Sequence, residues 1–158
     1  MAHFAELDGD NKVIRVCVVD NTHVPSDKHA DGETWCANFW GGTWKQCSYN
    51  KSQRGKFPGK GWNWSPTKEK FYMSKPAGHD SWTLEETGSE LSWQPPVDWP
   101  TTEEVKWSDN TDWVLSSNTW DESNQTWTGI ADKMINNVYV KCTYVWNKST
   151  NCLLYTSD

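Results

Sequence analysis

The chain has 158 residues, a formal net charge of −6 and a sequence pI near 5.2. Hydrophobic residues make up only 35% while Trp alone fills 13 positions, so a core has to be built largely from flat rings, which suits thin sheets and stacked hairpins. The acidic balance disfavours nucleic acid and anionic membrane surfaces as partners, and neither a transmembrane-length apolar run nor an export signal is legible, so a soluble protein is expected.

In chain order, "HFAEL" and "KVIRVCVV" flank the turn residues Asp8, Gly9, Asp10 and Asn11, which predicts a hairpin over residues 2–19. Its second strand is the aliphatic-rich run of the protein and is expected at the centre of an N-terminal sheet. A polar stretch from Asp20 to Asp31 leads to "GETWCANFWGG". There Trp35 with Phe39, and Cys36 with Trp40, are four residues apart, and Gly41-Gly42 supplies a stop, so a short helix is predicted near 33–40. "TWKQCSYN", Thr43 to Asn50, returns to strand alternation.

After the basic loop "KSQRGKFPGKG" one device recurs. Large apolar residues stand seven apart across polar turn-forming stretches: Trp64 and Phe71, Leu84 and Leu91, Trp113 and Trp120, Trp120 and Trp127. With about four loop residues, that spacing puts the two side chains opposite each other in an antiparallel hairpin. "WQPPVDWPTTEE" reads as an extended proline-rich connector. The expected organisation is mainly β (α+β minor): an N-terminal β-rich domain over 1–93, a connector at 94–104 and a module of Trp-stapled β-hairpins over 105–151, with a strand around "NNVYVKCTYVW".

Chemistry-bearing patterns are sparse. His3, His23, His29 and His79 lie far apart and show no metal-ligand spacing; "DGDNKV" lacks the Gly and distal Glu of a calcium loop. Nucleophile-elbow and phosphate-loop patterns are missing, and pairs such as Glu85-Glu86 and Glu103-Glu104 read as solvated surface. The chain is therefore expected to be no enzyme and to use no cofactor or metal. Cys17, Cys36, Cys47, Cys142 and Cys152 are scattered and read as reduced thiols. Trp62, Trp99 and Trp107 fall outside the ring pairs and are the candidate contact residues, for a protein neighbour or for a glycan stacked on an exposed ring. The basic cluster Lys51, Arg54, Lys56 and Lys60 offers a phosphate contact, but in an acidic chain it reads first as a solvated loop or a carboxylate-facing interface.

Taken in order, "MAHFAELD", "GGTWKQCSYN", "GKGWNWSPTKEKFY" and "SWTLEETGSELSWQPPVDWP" resemble a group of small virion structural or uncharacterised proteins of marine tailed bacteriophages, cyanophages in particular. The likeness covers roughly residues 1–100 and departs at "RGKFPGKGW" and "SKPAGHDSW". It implies a particle context, hence localisation in the virion, other capsid or tail proteins as partners, multiple copies and a homo-oligomer among the assemblies to expect, and no catalytic residues. Two readings follow from it: an accessory structural protein of the particle, on the capsid or on the tail, baseplate or fibre, and a carbohydrate-binding module that touches host-surface glycans.

The last stretch, "YVWNKSTNCLLYTSD", begins as the first strand and turn of another hairpin up to Asn151, but Trp146 calls for a large ring at position 153, where the chain offers Leu153 instead. "CLLYTSD", Cys152 to Asp158, also matches the translation of a transposon mosaic end used in sequencing adaptors. It is expected to be adaptor read-through that stays unpaired, with the hairpin module truncated and the native protein longer.

Overall fold

The computed structural model describes residues 1–24, 29–100, 114–147 and 152–156. The fold is mainly β, with one helix and several antiparallel sheets. Two compact units are formed: Met1–Lys75 with Leu84–Trp93, and Pro76–Thr83 with Gln94–Asp158. Segment 76–83 thus groups with the later residues, whereas the sequence pattern suggested one run over 1–93.

The first unit is built on β1 (Ala2–Leu7), β2 (Val13–Val19) and β3 (Thr43–Cys47), in the order β2-β1-β3 and antiparallel throughout. Asp8 closes the first hairpin, its Oδ1 accepting the N–H groups of Asp10 at 2.9 Å and Lys12 at 2.8 Å, with Asn11 in the left-handed region. Strand alternation sends successive residues of β1 into two separate cores. On one face Phe4 packs with Val19, Cys36 and Trp44 under helix α1 (His29–Trp40). On the other, Ala5 and Leu7 pack with Val13, Cys47, Trp64 and Phe71, the last two from the hairpin of β4 (Asn63–Ser65) and β5 (Lys70–Tyr72).

This layering corrects one expectation. The central strand is β1, and the aliphatic run β2 lies at the edge. β1 is covered on both faces by helix and hairpin, which bury Phe4 and Ala5 completely, whereas Ile14 and Val18 of β2 stay 42% and 52% exposed. A hairpin of β6 (Thr83–Thr87) and β7 (Glu90–Gln94) completes this half of the chain, where Glu86 meets Lys68 and Lys70, and Glu90 meets Lys51 and Lys56.

The second unit holds an antiparallel sheet of β8 (Val114–Asp121), β9 (Thr126–Ile135), β10 (Val138–Asn147) and β11 (Cys152–Thr156), in the order β11-β10-β9-β8. Asn136 and Asn137, both at positive φ, form the two-residue turn between β9 and β10. One face carries the core of Trp120, Trp127, Ala131, Tyr144 and Trp146, with Trp82 and Val97 packed on it.

The seven-residue spacing has the predicted structural meaning in two hairpins: Trp64 lies opposite Phe71 and Trp120 opposite Trp127. Leu84 and Leu91 depart from it, because β6 and β7 leave only Gly88 and Ser89 between them, too short a turn to set those two residues opposite each other. At the end of the chain Trp146 lies opposite Leu153. In the first two hairpins the fourth loop residue, Glu69 or Gln125, takes positive φ, so the same turn device is used twice. Trp113 lies outside the described residues. The tail expected to remain unpaired is paired at the backbone over Cys152–Thr156, because β10 offers it a free edge in register with the Trp146 position.

Candidate functional site

By the helical period, positions 32, 35, 36 and 39 of α1 fall on one stripe. The N-terminal part of that stripe is used by the core: Gly32 and Cys36 are buried against the sheet. Its continuation is not. Phe39 is 66% exposed and Trp40 is 38% exposed, at the last turn before Gly41 ends the helix in a left-handed conformation with its N–H on Ala37 O at 2.8 Å. Large apolar side chains therefore reach solvent at a well-defined helix end.

The rings form one cluster. Trp35 stacks on His23 (5.5 Å, 22°) and on Phe39 (5.1 Å, 8°). Trp40 meets Trp35 and Phe39 edge-on at 5.7 Å and 5.2 Å, and tilts onto Trp44 at 5.2 Å. Trp44 anchors the base: it is buried, its Nε1 donates to Gly41 O at 2.7 Å, and the Arg15 guanidinium lies 5.3 Å over its ring. Arg15 in turn donates to Glu6 Oε2 at 2.5 Å, and that bond is the main reason its pKa is raised.

Glu33 fixes the position of the helix that carries the cluster. Its carboxylate accepts from Arg54 Nη1, from the Gln46 N–H at 2.9 Å and from Lys45 Nζ at 3.2 Å. Burial pushes its pKa up, but the Arg54 and Gln46 hydrogen bonds and the Arg54 charge outweigh that and hold it below the usual carboxylate range. Arg54 also donates to Gln46 O at 3.0 Å and lies 5.1 Å over Trp64. Three residues of the basic cluster meet carboxylates of their own unit, in place of the solvated loop or carboxylate-facing interface expected: Arg54 meets Glu33, while Lys51 and Lys56 meet Glu90.

The sequence candidates are placed differently. The Trp62 ring is half-buried against the Trp64 and Phe71 core. Trp99, in the second unit, is 48% exposed and sets its ring edge-to-face on Trp127 at 4.6 Å. Trp107 lies outside the described residues. Phe39 and Trp40 are not among the sequence candidates, because their four-residue spacing from Trp35 and Cys36 reads equally well as packing, and only the structure shows that the helix has two buried positions.

In the second unit Trp82 sets its ring edge-on against Trp120 and Trp127. Beside it, Glu122 accepts from Ser81 N–H at 2.6 Å, Ser81 Oγ at 2.9 Å and Trp120 Nε1 at 2.6 Å. This node pins segment 76–83 to the sheet.

Cys17, Cys36, Cys47 and Cys142 are free thiols; burial pushes Cys36 up to about 11 and Cys47 up to about 12. Among the described residues no His, Cys, Asp or Glu side chains group as a metal site, and no helix is long and apolar enough to cross a membrane. The fold and the site thus define a mainly β protein with an aromatic helix-end surface. Comparison of the chain with protein-family models, curated proteins and solved structures finds no match.

Proposed function

We propose that the chain is a non-catalytic accessory structural protein of a tailed-phage particle, held to another virion protein by the aromatic surface at the end of α1. The observation that carries the docking role is the exposure of Phe39 and Trp40 on a base of packed rings. Such a patch, rich in aromatic side chains with little rotamer entropy to lose, is the composition that protein interfaces concentrate at their centres. The particle context rests on the resemblance carried by residues 1–100.

The arrangement favours a protein partner over a glycan. A sugar platform needs ring faces free and side by side, whereas Trp35 already stacks on both His23 and Phe39, and Trp40 stands edge-on to two neighbours. The test is quantitative mass spectrometry of purified particles assembled with the wild-type chain or with Phe39→Ser/Trp40→Ser. The expected result is a fixed stoichiometric signal for wild type and its loss for the variant. Absence of the wild-type chain from particles overturns the reading, and a fluorescence response of the same rings to a host glycan would replace it with the carbohydrate-binding one.

A further inference from the structure

The sheet of the first unit has two edges, and they are finished differently. At β3 the backbone of Gln46 is occupied by side chains, its N–H by Glu33 and its carbonyl by Arg54. Helix α1 also packs against this strand. At β2 the outer backbone bonds are made by Val13, whose N–H donates to Trp62 O at 2.7 Å and whose carbonyl accepts from Gly61 N–H at 2.8 Å. Among the described residues no strand lies beyond Ile14–Val18.

Edge strands are normally protected by charge, proline or cover. The run "VIRVCVV" has no proline and one charge, Arg15. That charge is turned back onto the protein's own sheet, bonded to Glu6 and lying over Trp44. What remains at the edge is aliphatic, with Ile14 and Val18 both exposed. Ile14 is also the residue without a β1 partner at the bulge, where Leu7 faces Val13 and Glu6 faces Arg15.

We propose that β2 pairs antiparallel with β2 of a second copy of the chain, joining two three-stranded sheets into one. The sequence is self-complementary about Val16. Two-fold pairing there sets Ile14 opposite Val18, and Arg15 opposite Cys17 rather than opposite a second Arg15, so the aliphatic pairs meet and the like charges are offset. The occupant is a second copy because one strand supplies both halves of the match. This surface is separate from the aromatic end of α1, so dimerisation and particle docking fail independently.

Sedimentation velocity of the full chain over a broad concentration range tests the pairing. Wild type is expected to form a dimer. Ile14→Lys/Val18→Lys places like charges opposite each other and should weaken self-association at least roughly tenfold, with unchanged far-UV circular dichroism because both positions are exposed. Ile14→Glu/Val18→Lys restores an opposite-charge pair in this register and should dimerise again. A wild type that stays monomeric, a double-Lys variant that still dimerises, or a Glu/Lys variant that fails to recover would each overturn the proposal.

Discussion

Gly32 of α1 lies directly on the ring of Phe4 in β1: a Cβ at position 32 would come within 2.5 Å of Phe4 Cζ. Helix interiors ordinarily favour Ala over Gly by about 1 kcal/mol. Here the close approach decides the choice. Gly32 lets the helix settle onto the sheet, and the depth of that seat sets where Trp35, Phe39 and Trp40 emerge.

Gly32→Ala should therefore destabilise the first unit by roughly 1–3 kcal/mol, the usual cost of overpacking, despite its better helix propensity. Urea unfolding followed by circular dichroism measures this. Phe4→Leu in the same chain should recover part of the loss; a Gly32→Ala variant as stable as wild type would show that the helix sits higher than described.

The Glu33 carboxylate makes the helix seat pH-dependent. Its folded pKa is below its unfolded value, so its stabilisation is present above the unfolded pKa of about 4.3 and is lost as pH falls through the lower folded value. Glu33→Gln should cost roughly 2 kcal/mol near neutrality by leaving Arg54 poorly compensated. It should also flatten the acid limb of a stability-versus-pH curve; an unchanged acid limb would remove Glu33 from this role.

Cys36 and Cys47 give the opposite sign. Their pKa values are raised to about 11 and about 12, so the neutral thiols contribute fully below the unfolded value of about 8.5. That contribution fades as pH rises through the folded values. Mass-spectrometric alkylation near pH 8 should label both slowly in the folded chain and rapidly in denaturant. Fast labelling of Cys47 in the folded state would contradict its burial.

In the second unit, the Trp120 and Trp127 rings meet at 5.1 Å and 66° on adjacent strands. A double-mutant cycle with Leu at each position should give a coupling of about 0.5–1.5 kcal/mol. Zero coupling would mean that the two rings stabilise the hairpin only through their separate burial.

The hairpins were legible because a period in the sequence has one geometric consequence: residues seven apart across a four-residue turn must face each other, as Trp64 and Phe71 do. Helix α1 was legible for the same reason, although its span of His29–Trp40 is longer than 33–40, since the polar residues before Glu33 carry no apolar stripe to mark the first turn. The place of β2 was not legible. Aliphatic content reports burial only when both faces are covered, and cover depends on where the helix and the second hairpin land. The same holds for Phe39 and Trp40: their spacing marks a helix face, while their exposure depends on where the sheet beneath them ends.

The most direct test of the docking role is hydroxyl-radical footprinting of the chain free and within purified particles, read by mass spectrometry at Phe39 and Trp40. Both rings should label strongly in the free protein and be markedly protected in the particle, with Tyr49, 77% exposed and outside the patch, as the internal reference. Equal labelling of Phe39 and Trp40 in the two states would contradict that role.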